Sequence, residues 1–125
     1  MRDIKFRAWD EENKTMIQWH DTFFYDTSAV TRWSGDFSYI EMPLMQYTGI
    51  KIKGKEVYEG DIVSEIYDDI PDIGVVYFVD GMFKVNFKSS EDYALSGCNL
   101  DQTEVIGNVY ENKDKYEELY DFFIL

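Results

Sequence analysis

Asp80-Gly81 separates two runs of strand-forming residues, Gly74-Val75-Val76-Tyr77-Phe78-Val79 and Met82-Phe83-Lys84-Val85-Asn86-Phe87. An Asp-Gly pair supplies the left-handed backbone that a two-residue turn between antiparallel strands requires, so a tight hairpin is expected at 74–87. Phe83, Val85 and Phe87 share one face of its second strand, with Lys84 and Asn86 opposite. A chain of 125 residues built around such a hairpin is one ordinary domain. Its aromatic content of 18% favours large side chains paired across strands.

Other strands follow from the same periodicity. Ile4, Phe6 and Ala8 fall on one face of an opening strand, with Lys5, Arg7 and Trp9 on the other. Asp10 to Lys14 reads as a turn, and Thr15-Met16-Ile17-Gln18-Trp19 as the antiparallel partner. Residues 21–40 are aromatic and irregular, and suggest short strands around a turn at 34–36. Leu44 to Thr48 follows Pro43 as a further strand. The run Met45 to Val63 carries the glycine turns Gly49, Gly54 and Gly60, and Asp61 is placed to accept backbone hydrogen bonds beside Gly60. With Asp80 and Gly81, these residues form the expected turns and seam of a β core.

Glu65 to Ile73 carries Glu65, Asp68, Asp69 and Asp72 around Pro71 and reads as an exposed loop. Leu95, Cys98 and Leu100 are expected to pack beneath the connector at 89–93. Glu104 to Tyr110 is the last expected strand. Asp114 with Glu117 fits a helix capping box, and Tyr116, Leu119, Tyr120 and Phe123 form an apolar stripe at helical spacing. That helix would cover the open side of the sheet, and with Phe122 the stripe also offers a possible interface between copies. The fold class expected is mainly β: a small antiparallel, partly barrel-like sheet with a C-terminal helix, and a small N-terminal subdomain at about 1–42 before a main β subdomain at about 43–125.

The chemistry is sparse. Twelve Lys and Arg face twenty-five Asp and Glu for a formal charge of −13, which opposes direct contact with a phosphate backbone. Trp9, Trp19 and Trp33 could stack on bases, but such platforms accompany a positive groove. Gly54-Lys55 lacks a phosphate cradle. His20 is the one histidine and Cys98 the one cysteine; each reads as surface or packing, without the partner that a base or nucleophile needs. Asp68, Asp69 and Asp72 offer oxygen ligands, but not the alternating series of a calcium loop. No catalytic, cofactor-binding or metal-binding residues are therefore assigned, and no cofactor is expected. No apolar run has the length of a membrane helix, and the single cysteine fits the cytoplasm.

The opening Ile4-Lys5-Phe6-Arg7-Ala8-Trp9-Asp10, the run Met45-Gln46-Tyr47-Thr48-Gly49, the segment Gly54-Lys55-Glu56-Val57-Tyr58-Glu59-Gly60-Asp61-Ile62-Val63, and the end Val105-Ile106-Gly107-Asn108-Val109-Tyr110-Glu111-Asn112 together resemble the YopX family. The resemblance implies a phage or prophage accessory protein in the cytoplasm of a bacterial host, with a mainly β fold and homo-oligomers in at least some members. It brings no established catalytic residue or substrate. The expectation is thus a noncatalytic module that assembles with itself or binds a host or phage protein. Two alternatives remain open: an acidic DNA mimic that occupies a nucleic-acid-binding protein, and a hydrolase dependent on carboxylates or metal.

Overall fold

The computed structural model describes residues 4–18, 30–33, 39–89 and 91–125. They divide between two compact units, Met1–Gln46 and Tyr47–Leu125. The expected turn at 34–36, together with Trp19, His20, Phe23, Phe24 and Tyr25, lies outside the described residues.

In the first unit, β1 (Phe6–Asp10) and β2 (Thr15–Gln18) form the expected hairpin, from Arg7 opposite Gln18 to Asp10 opposite Thr15. Asp10 closes its turn: one carboxylate oxygen accepts the Asn13 backbone N–H at 3.2 Å, the other the Asn13 side-chain amide at 2.9 Å. Ile4 precedes the strand and is 56% exposed, so it does not join the face it was expected to share with Phe6 and Ala8. β3 (Val30–Trp33) and β4 (Tyr39–Met42) pair with each other. The first residues of β5 (Leu44–Ile52) pair with β1, Ala8 opposite Leu44. Ala8, Ile17 and Met42 are buried together, with Leu44 against them.

The second unit begins with the rest of β5, which turns through Lys53-Gly54 into β6 (Lys55–Tyr58). β7 (Asp61–Tyr67), β8 (Ile70–Val79), β9 (Met82–Phe87), the short β10 (Tyr93–Ala94) and β11 (Thr103–Asn108) make a curled, half-barrel-like antiparallel sheet in the order β10-β9-β8-β7-β11. Strand alternation sends Val63, Val76, Val85 and Phe87 to one face, where Ile52, Val57, Leu95 and Cys98 complete a buried core. The other face holds Ile62 and Val75, covered by Val109, Tyr116 and Leu119. Leu119 belongs to α1 (Glu117–Ile124), the only α-helix among the described residues.

The expected loop at 65–73 is instead a hairpin. β7 and β8 pair from Ile62 opposite Val75 to Tyr67 opposite Ile70, and the connection is the two residues Asp68-Asp69. Both have positive φ, 51° and 65°, a conformation aspartate tolerates better than most side chains. Lys53-Gly54 and Asp80-Gly81 use the same paired left-handed geometry, with φ of 50° and 81° and of 52° and 80°. Pro71 is tolerated because β9 pairs with β8 only from Gly74 onward, so no ladder bond on that side needs its missing N–H.

The expected capping box is also corrected. Helix α1 begins at Glu117 with Tyr116 before it, and no side chain caps it. Asp114 sits in a preceding backbone turn in which the Asn112 carbonyl accepts the N–H groups of Lys115 and Tyr116 at 3.2 and 3.1 Å. Glu117 and Glu118 in the first turn complement the helix dipole instead.

Candidate functional site

Three places in the second unit bring polar or aromatic side chains together. The first is the seam where β6 passes into β7. Gly49 and Gly60 have φ of 84°, so both occupy the left-handed region for which glycine is suited. The Gly60 N–H donates to the Val76 carbonyl at 2.8 Å, and the Gly60 carbonyl accepts from Val109 at 2.9 Å. Asp61 is 3% exposed, and its carboxylate accepts the Tyr58 backbone N–H at 2.8 Å. Three chain segments are thereby tied at one glycine and one carboxylate. These bonds serve the scaffold.

The second place lies at the far end of β7. Glu65 is 8% exposed, and its two oxygens accept the Tyr93 hydroxyl and, at 2.9 Å, the Asn99 backbone N–H. Burial and the bond to this carboxylate hold the Tyr93 hydroxyl well above the ordinary tyrosine range. Asp72 stands directly opposite Glu65 across the β7–β8 ladder and accepts the Ser89 N–H at 3.1 Å. A cleft of about 390 Å³ opens here, lined by Glu65, Ile66, Tyr67, Asp72, Tyr93, Gly97 and Asn99. Cys98 is buried beside it, and burial, followed by the negative charge of Glu65, pushes its thiol up to about 11. A thiol held protonated at neutral pH is a poor nucleophile.

The third place is an aromatic groove of about 510 Å³ formed by Glu59, Tyr77, Phe78, Val79, Phe122, Phe123 and Leu125. Tyr77 meets Phe122 edge-on at a centroid distance of 4.9 Å. Its hydroxyl donates to Asp92 at 2.5 Å, and the second oxygen of Asp92 accepts from the Asn86 amide at 2.8 Å. Burial, then that hydrogen bond, raise the Tyr77 hydroxyl to about 12. The ring is thus held in one orientation at the groove wall.

The residues expected to form an interface divide. Tyr116 and Leu119 are buried against Ile62, Val75 and Val109, so the chain itself covers them. Tyr120 and Phe123 are half-buried around Tyr110, whereas Phe122 is 37% exposed at the groove. Gly54 lies in the β5–β6 hairpin turn, and Asp80 and Gly81 in the β8–β9 turn. Asp68 and Asp69 form a turn, and among the described residues no group of three or more His, Cys, Asp or Glu is arranged to hold a metal. His20 lies outside the described residues. Sequence reasoning missed Tyr77 with Asp92 and Glu65 with Tyr93. The alternation from Asp61 to Tyr67 was a usable signal for Glu65, but Asp92 and Tyr93 follow an irregular connector that hides their partners.

Among the described residues no helix is long and apolar enough to cross a membrane. Comparison with curated proteins gives no match. Two solved structures are similar over nearly the whole chain. Protein EF1440 from Enterococcus faecalis is 26% identical with a TM-score of 0.60, covering 92% of this chain and 99% of its own. Protein yopX from Bacillus subtilis is 27% identical with a TM-score of 0.61, covering 88% and 95%. The family model described as YopX protein matches residues 5–115, and the chain accordingly belongs to the YopX family of phage and prophage proteins.

Proposed function

We propose that this chain is a noncatalytic protein-binding module that assembles with copies of itself through the aromatic groove of β8 and α1, in the cytoplasm of the bacterial host. The observation that carries the reading is the exposure of large apolar side chains around that groove. Phe78 is 50% exposed and Phe122 37%, beside Tyr77 and Phe123, and aromatic side chains are the type enriched at interface centres. The carboxylates support the noncatalytic half. Asp61, Glu65, Asp72 and Asp92 each accept a hydrogen bond that fastens a turn, loop or ring, a structural role that accounts for these carboxylates without catalysis.

Sedimentation velocity over a wide concentration range tests self-association. A dimer or larger species that dissociates on Phe78→Ser and on Phe122→Ser is the expected result. A strictly monomeric parent at high concentration refutes self-association, and an oligomer unaffected by either substitution refutes the groove as its interface.

A further inference from the structure

Exposed apolar side chains of the second unit gather at the two ends of one strand, β8. At its start the β7–β8 hairpin runs past its neighbours: β11 pairs with β7 only as far as Glu65, and β9 with β8 only as far as Gly74. Residues 66–71 therefore form a two-stranded arm that extends beyond both flanking strands. Tyr67 and Ile70 are directly opposed and so share one face, where they are 75% and 69% exposed. Ile66 and Pro71 are opposed on the other face, with Ile66 47% exposed. A flat surface covers only one side of such an arm. Covering both sides requires a concave surface, and an uncovered two-stranded ribbon is marginal in water. At the far end of β8 lies a concave surface of matching character, the aromatic groove of Tyr77, Phe78 and Phe122. Seven positions of strand separate Ile70 from Tyr77, about 23 Å, so an arm does not reach the groove of its own chain.

We propose that the groove of one copy receives the β7–β8 arm of a second copy. The inference rests on the self-association through the groove proposed above, and names the segment that fills it. Charge favours this pairing of surfaces over the two symmetric ones. Lys84 is the only basic residue of β8 and β9, stands directly opposite Tyr77 and hence on the same face, and is half-buried. The arm ends in Asp68-Asp69, both exposed, so its tip brings the opposite charge to Lys84 as its apolar flanks meet the rings. Arm against arm would set Asp68 and Asp69 of both copies together, and groove against groove would set Glu59 against Glu59 and leave the arms uncovered. The net charge of −13 repels copies at a distance, but at physiological ionic strength it is screened beyond about 8 Å, so the groups that meet in the contact decide it.

The test is sedimentation velocity of the full chain at physiological ionic strength, with complementary variants run alone and mixed. Tyr67→Ser and Ile70→Ser, both at exposed positions, disable the arm and spare the groove, whereas Phe122→Ser disables the groove and spares the arm. Each should raise the dissociation constant at least about tenfold, with thermal unfolding showing that it is folded. Phe78→Ser takes the place of Phe122→Ser if the latter unfolds. An equimolar mixture of Ile70→Ser with the groove variant should regain a dimer that neither forms alone, because one intact arm then meets one intact groove. Lys84→Glu should weaken association at least about threefold more than Lys55→Glu, which makes the same charge change at an exposed position in β6. A parent that associates while both arm variants match it overturns the arm as occupant and leaves the groove reading standing. A mixture that stays monomeric also overturns the arm, and equal effects of the two lysine substitutions overturn the place given to its tip. A monomeric parent refutes self-association itself.

Discussion

Replacing Asp61 by alanine tests whether the seam is held by one buried carboxylate. The side chain is 3% exposed, opens β7 opposite Asn108, and reaches back over Glu59-Gly60 to accept the Tyr58 N–H at 2.8 Å. Hydrogen bonds to charged groups contribute about 1.5–3 kcal/mol, and leaving the buried donor unpaired costs about as much as making that bond gains. Asp61→Ala should therefore lower stability by about 2–3 kcal/mol. Asp61→Asn keeps the shape and one acceptor but exchanges a charged bond for a neutral one, worth about 0.5–1.5 kcal/mol, so it should cost only about 1 kcal/mol. Urea unfolding with an unchanged slope measures both, and amide exchange at Tyr58 should accelerate selectively in the alanine variant. An alanine variant within about 0.5 kcal/mol of the parent sinks the claim that this bond secures the seam. An asparagine variant as unstable as alanine shows that charge, not the acceptor position, is what matters there.

Two glycines should lose stability to alanine for different reasons. A Cβ at Gly74 would lie 2.7 Å from both the Asn86 carbonyl oxygen and Val85 Cγ1, so Gly74→Ala should cost about 1–3 kcal/mol through overpacking of β8 against β9. A Cβ at Gly54 meets nothing within 4 Å, so Gly54→Ala should cost only the left-handed backbone, about 1–2 kcal/mol, and Gly54→Asn less; thermal unfolding of the three variants ranks them. Alkaline pH should destabilise the fold. Cys98 is raised from 9.0 to about 11, so the native state keeps a proton that the unfolded state gives up, and the stability it contributes is complete below pH 9 and lost as pH rises toward 11. Tyr77 and Tyr110, both raised to about 12, extend the decline upward from pH 10; urea midpoints from pH 8 to 11 should fall, and a thiol reagent should label Cys98 at neutral pH only as fast as the protein opens.

Local sequence carried most of the β architecture. Asp80-Gly81, Gly54 and the alternation on either side of them are strong turn and strand signals, and the observed hairpins follow them. The 65–73 segment failed for a definable reason. Its turn uses Asp68-Asp69 where Asn-Gly or Asp-Gly would have announced it, and Pro71 stands where only the incomplete reach of β9 makes proline harmless. The helix start failed similarly, because a backbone turn at Asn112 replaced the side-chain cap that Asp114 advertised. The aromatic groove was half legible. Helical spacing found the stripe of α1 but could not divide Leu119, which faces Ile62 and Val75, from Phe122, which faces Tyr77, since that division depends on where the sheet lies.

The acidity deserves a different interpretation once the fold is known. A formal charge of −13 suggests an evenly solvated or decoy-like surface, yet Asp10, Asp61, Glu65, Asp72 and Asp92 are each fixed to a turn, strand or ring by hydrogen bonds. Carboxylates serve this role well because they accept from several donors at once and make stronger bonds than neutral acceptors. Asp10, Asp61 and Glu65 are moreover buried, so they do not display their charge at the surface as a phosphate mimic must, and the role they fill is that of a scaffold. Glu65 and Asp72 are the instructive pair: they stand opposite one another on the β7–β8 ladder, yet each holds a different segment, Glu65 the Tyr93 hydroxyl and the Asn99 N–H, Asp72 the Ser89 N–H.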